Sequence, residues 1–342
     1  MPETILVTGA SGYIAKHIVV KLLNAGYHVR GSVRSVARGA EVTQAVTPML
    51  DDASELDARL TFVALDLSSD TGWDAALDGV DALMHTASPF PLEQPKNEDD
   101  TIRPAVDGTL RALNAAKTAG INRVVMTSST VSIMMVKPGD PKTQFDETDW
   151  SVLEGPTATP YAKSKTLAER AAWDFVANEA PEMQLTAINP SFVMGAPLDE
   201  NFGTSIQVVE RLMKGKDPML PAVGFPSVDV QDIAEMHVRA LQRPETAGER
   251  IAGVGKFLWL KDMADALKTE YPNRKIATRV APNIMIRMLA LFDKALQSIA
   301  PILGRKDIVS NEKAKTMLDM EFRDPTESVV DAGRFLVDRN LV

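Results

Sequence analysis

The chain contains no cysteine. That excludes disulfides, thiolate zinc sites, iron–sulfur clusters and cysteine nucleophiles. Histidine is scarce: His17, His28, His85 and His237 are the only four, and none stands at metal-ligand spacing from another. An excess of positive charge is also lacking. Lys and Arg number 37 against 46 Asp and Glu, a net charge of −9, and a general nucleic-acid binder needs a basic footprint. Met1 is followed by neither a basic n-region nor a long apolar h-region, so a signal peptide is not expected. Gly does not follow Met1, which argues against myristoylation. The most apolar late stretch, 281–303, is interrupted by Arg287, Asp293 and Lys294 and fails as a membrane span. It reads as one amphipathic helix with Ile284, Met288, Leu291, Phe292, Leu296 and Ile299 on one side. That side is expected to pack against its own protein, with a dimer or lid contact as the alternative.

What is present is ordinary globular composition: 342 residues, 45% apolar and 24% charged. A chain of this length suggests about two domains. Strand and helix patterns alternate through the first 190 residues. Strands are predicted at 4–8, 28–33, 60–65, 82–86, 123–127 and 185–189, and helices at 12–24, 100–119 and 160–178. Buried strands separated by helices of this length mean βαβ units, hence a Rossmann-type doubly wound α/β fold with a parallel sheet. The regularity fades after residue 190. A strand–helix signal begins at Ser227, 256–271 reads as another helix, and the tail from Asn311 reads as a short helix, a loop and a last helix.

The first strand runs into Thr8-Gly9-Ala10-Ser11-Gly12-Tyr13-Ile14-Ala15. Gly9 supplies the backbone conformation of the turn. Gly12 lets the chain approach a pyrophosphate at the helix N-terminus, and Ala15 is the third small position. A strand before it and a helix after it are the context that dinucleotide binding requires; the bland alternative is a structural turn. The end of the second strand selects the cofactor. An NAD site places an acid there to hold the ribose hydroxyls. Residues 28–38 instead read HVRGSVRSVAR, with no acid before Glu41. A guanidinium matches a phosphate bidentately, so NADP is expected, held by Arg34 first and Arg38 second; the alternative is a solvated basic loop. Asp66-Leu67 ends the third strand, where an acceptor can meet the adenine amino group.

The segment 160–169, PYAKSKTLAE, carries Tyr161-x-x-x-Lys165. On a helix these residues share a face. The Lys165 charge is then expected to favour phenolate and lower the Tyr161 pKa, making Tyr161 a general acid–base group. The preceding strand ends in Thr127-Ser128-Ser129, and strand C-terminal ends face the ligand crevice of such sheets. One serine is expected to bond the reacting oxygen and the other to satisfy loop backbone. Neither has the glycines of a nucleophile elbow.

These residues together resemble the extended short-chain dehydrogenase/reductase superfamily over essentially the whole chain. The carriers are Thr-Gly-x-x-Gly-x-x-Ala at 8–15, Asp66-Leu67, Thr-Ser-Ser at 127–129, Tyr161-x-x-x-Lys165, Asn189-Pro190 and the VDVQDIA run at 228–234. Within it the chain looks most like the dihydroflavonol-reductase-like branch, which includes cinnamoyl-CoA, methylglyoxal and other carbonyl or aldehyde reductases. The carriers are VRGSVR at 29–34, HTASPF at 85–90 and YAKSKTLAE at 161–169. The resemblance implies that Ser129 is the catalytic serine. It implies that Thr86, Ala87 and Ser88 line the ribose and diphosphate region. Pro190 and Val193 would lie beside the nicotinamide, with Ser205 near a cofactor phosphate. Two departures narrow the substrate. Met134 stands where plant dihydroflavonol reductases carry a polar residue, and Thr157-Ala158-Thr159 replaces the segment typical of cinnamoyl-CoA reductases. An apolar pocket with Phe90, Met134, Met194 and Phe225 as wall residues suits a medium-sized ketone or aldehyde.

The expectation is an NADPH-dependent carbonyl reductase in which Tyr161 is the general acid and Ser129 and Lys165 assist. One rival is an NAD-dependent nucleotide-sugar epimerase or dehydratase; another is a non-catalytic NADP sensor. The expected division is a cofactor domain over 1–190 with 227–243 returning to it, and a smaller, mostly helical substrate lobe over 191–226 and 244–342. Expected partners are a small carbonyl compound, without nucleic acid, membrane or metal, in a cytoplasmic monomer or homodimer.

Overall fold

The computed structural model of the chain describes residues 3–88, 97–155 and 157–342. Its strands are β1 (Thr4–Thr8), β2 (His28–Val33), β3 (Leu60–Ala64), β4 (Ala82–His85), β5 (Arg123–Thr127), β6 (Gln144–Phe145), β7 (Gln184–Pro190), β8 (Phe192–Met194), β9 (Gly224–Asp229), β10 (Arg250–Gly253), β11 (Lys256–Trp259) and β12 (Ile308–Val309). Its α-helices are α1 (Tyr13–Asn24), α2 (Gly39–Val46), α3 (Leu56–Arg59), α4 (Trp73–Leu77), α5 (Asp99–Thr118), α6 (Pro160–Glu179), α7 (Thr204–Lys214), α8 (Val230–Gln242), α9 (Leu260–Glu270), α10 (Asn283–Leu289), α11 (Lys294–Ile299), α12 (Glu312–Leu318) and α13 (Pro325–Asp338).

The main sheet has the order β10-β7-β5-β4-β1-β2-β3, and all its pairs are parallel. Its central strands β1 and β4 are largely apolar and buried, as both faces are covered. In β1, Ile5 and Val7 join the core cluster that includes α1, α8 and α12, whereas Leu6 joins the cluster of α4, α5 and α6 on the opposite face. The order reverses on either side of β1, so the crevice at the C-terminal ends of β1 and β4 is the topological switch point where such sheets bind ligands. A smaller sheet of order β11-β9-β8 is formed in the second half of the chain, and a two-stranded one pairs β12 with β6. Thr159 caps α6 by accepting the Ala162 N–H at 3.2 Å, with Pro160 as its first residue.

Two sequence expectations need correction. Residues 256–259 form β11, antiparallel to β9, and the helix starts only at Leu260. The apolar and aromatic FLW run pairs with β9, and Asp262 takes the Trp259 N–H at 2.9 Å to begin the helix. The stretch 281–303 is two helices, α10 and α11, broken where Asp293 caps the Leu296 N–H at 3.2 Å. Its expected inward face points outward: Ile284, Met288, Leu291 and Phe292 are exposed, while Ile286 and Ala290 turn to the core. Leu296 and Ile299 do pack against the small cluster of Val223, Ala281 and Leu303. Among the described residues no helix is long and apolar enough to cross a membrane.

Candidate active site

The glycine turn sits at the switch point. Gly9 has φ +65°, and a Cβ there would meet Ala87 at 3.0 Å. Only glycine accepts both conditions. The Gly9 N–H donates to Ser32 Oγ at 3.1 Å, tying the turn to β2. Gly12 precedes α1 without a side-chain cap, so the first N–H groups of the helix have no side-chain acceptor. Ser11 and Ile14 are half-buried, and Ile14 packs on the core. Tyr13 donates its hydroxyl to the Gly195 carbonyl at 2.9 Å. Burial, then the Asp229 charge, holds its pKa well above the ordinary tyrosine value.

The β4 end is brought onto the turn by Thr8. Its hydroxyl oxygen accepts the Thr86 and Ala87 N–H groups, each at 3.1 Å, and lies 3.0 Å from His85 Nδ1. Burial and the Lys165 charge push the His85 pKa down to about 3, so the ring is neutral. Thr86, Ala87 and Ser88 therefore line the crevice beside Gly9, half-buried. Phe90 lies outside the described residues.

Of the three arginines near the β2 end, only Arg34 is exposed. Arg30 turns away and donates to the carbonyls of Ala76 at 3.1 Å and Asp78 at 2.6 Å. Arg38 is half-buried and pairs with Glu41 at 3.2 Å. Asp66 is exposed, and its carboxylate takes the Ser68 N–H at 2.8 Å and hydroxyl at 2.7 Å. Those bonds hold its pKa below the usual carboxylate value. Leu67 is half-buried beside α5, against Gly108.

Helix α6 carries Tyr161 and Lys165 to the end of β5, where Ser129 begins a short 3-10 turn. The Ser129 hydroxyl donates to the Pro190 carbonyl at 3.4 Å and accepts the Val131 N–H at 3.3 Å. Tyr161 is hydrogen-bonded to Ser129. Burial raises the Tyr161 pKa above 10, and the Ser129 bond only partly opposes it. The expected lowering by Lys165 is absent. The Lys165 ammonium donates instead to the Thr127 carbonyl at 3.4 Å. Burial pulls the Lys165 pKa down to about 8, against the Glu169 charge. A narrow cleft lined by Ala87, Ser88, Thr127, Ser128 and Lys165 lies between α6 and the β4 end.

Behind these groups lies a buried polar network that sequence reasoning missed. The Glu169 side chain is fully buried. It accepts from Ser128, from Ser132 at 2.6 Å, from Asn189 Nδ2 at 2.8 Å and from Arg250 Nε at 2.5 Å. Asn189 also donates to the Ser129 carbonyl at 3.3 Å. Arg250 reaches the Glu147 and Asp149 carbonyls at 2.8 and 2.7 Å and stacks 3.7 Å from the Trp150 ring centroid. Ser128, expected to serve loop backbone, thus bonds a carboxylate. Glu169 was legible as the i+4 residue after Lys165 on the same helix face. Arg250 was not, being 81 residues away.

The remaining predicted residues divide. Pro190 and Val193 are buried at the end of β7 and in β8. Ser205 is buried and donates its hydroxyl to the Val193 carbonyl. Phe225 is half-buried and stacks on Phe192 with centroids 4.7 Å apart. Met134 is half-buried against Ile133, Phe145 and Val254. Met194 is fully buried with Ile206 and Val209. It is core rather than pocket wall, because β8 is packed over by α7.

Comparison with known proteins agrees with this fold. Residues 5–255 match the model of the NAD dependent epimerase/dehydratase family. The chain belongs to that family, in line with its resemblance to extended short-chain dehydrogenases/reductases. It is 32% identical to a ketoreductase, azaE, of Aspergillus niger over 99% of both chains. It is 33% identical to tetraketide alpha-pyrone reductase 1 of Arabidopsis thaliana, over 80% of this chain and 83% of that one. The crystal structure of yeast methylglyoxal/isovaleraldehyde reductase Gre2 complexed with NADPH superposes with a TM-score of 0.81 at 27% identity. That match covers 99% of this chain and 100% of Gre2.

Proposed function

We propose that this protein uses NADPH to reduce a ketone or aldehyde carbonyl to an alcohol. The observation that carries the reading is the Tyr161–Ser129 hydroxyl pair, with Lys165 one helical turn on, at the strand ends that also hold the glycine turn. The names of azaE and Gre2 support the same chemistry.

The residues present fit the cofactor. A Cβ at Gly9 would close the approach to the turn, the α1 N–H groups suit a diphosphate, and Arg34 is exposed where a 2′-phosphate would need it. Gly9, Ser11, Gly12 and Ile14 would hold the diphosphate, and Thr86, Ala87, Ser88 and Lys165 the nicotinamide half. NADPH, when bound, supplies hydride to the carbonyl carbon. Ser129 and Tyr161 donate hydrogen bonds to the carbonyl oxygen, where negative charge develops. Tyr161 then gives its proton to that oxygen. A raised Tyr161 pKa keeps the hydroxyl protonated and ready to donate at neutral pH. Lys165, one helical turn on from Tyr161, would hold the cofactor ribose. The substrate lies between a cofactor lobe, 1–190 with 227–243 and also β10 and α12, which join the main sheet and its core, and a second lobe formed by the rest, near Phe225.

Tyr161→Phe is expected to lower kcat by about 10²–10⁴-fold while NADPH affinity holds; NADPH oxidation with a ketone and aldehyde panel reads the first and fluorescence titration the second. Retained turnover sinks the assignment. The same assay weighs the rivals: a strong NADH preference favours the epimerase reading, and no turnover with any substrate favours the sensor.

A further inference from the structure

Away from the cleft, α10 is built the wrong way round for a helix that only packs on its own protein. Ile286 and Ala290 face inward, in contact with or beside the cluster of Val223, Ala281 and Leu303. On the opposite side Ile284 and Met288 recur at i and i+4 with Met285 and Leu289 beside them, and Leu291 and Phe292 extend the apolar surface in the turn that follows the helix. Phe292 is 90% exposed, Leu291 73%, Ile284 68% and Met288 63%. A contiguous apolar face of this kind marks an interaction site.

Charge says what would cover it. Residues 271–307 hold seven Lys and Arg against two Asp, a net of +5, in a chain whose net charge is −9. Arg279, Arg287, Lys275 and Lys306 in this segment are exposed. Arg287 lies on α10 itself, and Arg279 adjoins exposed Val280. Of the two acids, Asp307 is already paired with Arg305 at 2.8 Å. A basic, apolar-faced segment of an otherwise acidic protein fits a surface that is apolar inside and negative at its rim.

We propose that the α10 face docks on an anionic bilayer surface, with Ile284, Met288, Leu291 and Phe292 entering the interface and the basic residues meeting lipid headgroups. A second copy fits less well. A two-fold contact places each patch on itself, which would bring two segments of net +5 together. The proposal departs from the expectation of no membrane partner, which rested on the lack of a spanning segment; lying on a bilayer needs no span. It does not depend on the reductase reading.

The test is sedimentation of the full chain with vesicles of phosphatidylcholine alone or mixed with phosphatidylglycerol, at low and high salt. Binding is expected to the mixed vesicles at low salt, weakening as salt screens the headgroups. Met288→Ser with Phe292→Ser should lower the bound fraction about tenfold or more. Arg279→Glu with Arg287→Glu should do the same on mixed vesicles only. Both variants change exposed residues, and an unchanged Tm checks that they fold. No binding of the parent chain to mixed vesicles overturns the proposal, as does undiminished binding by either variant. A dimer by light scattering that Phe292→Ser dissociates assigns the face to a second copy and overturns it as well.

Discussion

Lys165 has its pKa drawn down to about 8 by burial, so its ammonium form is lost as pH rises through that value. If the ammonium is the working form, kcat/KM falls on an alkaline limb near pH 8, because this profile reports groups of the free enzyme. Glu169 acts as a positioning residue behind it. Its negative charge favours the Lys165 ammonium, so Glu169→Gln moves that limb to lower pH. The same change leaves the buried Arg250 guanidinium without its carboxylate, at a cost of about 3 kcal/mol in stability. A pH–rate profile reads the first effect and a Tm the second. An unmoved limb with a lowered Tm would make Glu169 purely structural.

At the scale of elements, the site depends on how closely the glycine turn lies on β2. A Cβ on Gly31 would meet Ala10 Cβ at 2.8 Å and the Phe62 ring at 3.0 Å. Gly31→Ala is therefore expected to destabilise by about 1–3 kcal/mol, by overpacking, and to weaken NADPH binding because the displaced side is the turn itself. Thermal unfolding and a fluorescence titration check the pair of effects; wild-type values for both would show that the turn yields freely. The six strands and three helices bounded from the sequence over the first 190 residues fall within a residue or two of their observed ends, since apolar periodicity, Gly26, Gly120 and Pro160 mark those ends locally, whereas short elements such as α3, α4, β6 and β8 carry no such local signal. The sequence misplaced 256–259 because a four-residue apolar run has no period of its own. Pairing with β9, far off in sequence, decided that it is a strand.

Across the whole molecule, the loop after β8 returns to the glycine turn. Buried Lys16 of α1 pairs with Asp199, Asn201 Nδ2 donates to the Ser11 carbonyl at 2.7 Å, and Tyr13 bonds Gly195. These three contacts preorganise the turn from the far side of the chain. Lys16→Met, which keeps most of the buried volume, should weaken NADPH binding about tenfold by loosening that loop. Fluorescence titration decides; an unchanged Kd would show that the loop adds nothing to the cofactor site.

The sequence by itself determined what is local. Strand–helix alternation, the Gly9–Gly12 turn and the Tyr161–Lys165 spacing are properties of neighbouring residues, and helix pitch alone puts Tyr161 and Lys165 on one face. Tertiary structure decided what depends on distant neighbours. It set Glu169 against Arg250, turned Arg30 away while leaving Arg34 exposed, and buried Met194. It also raised the Tyr161 pKa instead of lowering it, and left the Ile284–Phe292 side in solvent. Burial, and with it the cost of charge and the fate of an apolar face, is fixed by which elements pack on a residue, and no stretch of sequence carries that information on its own.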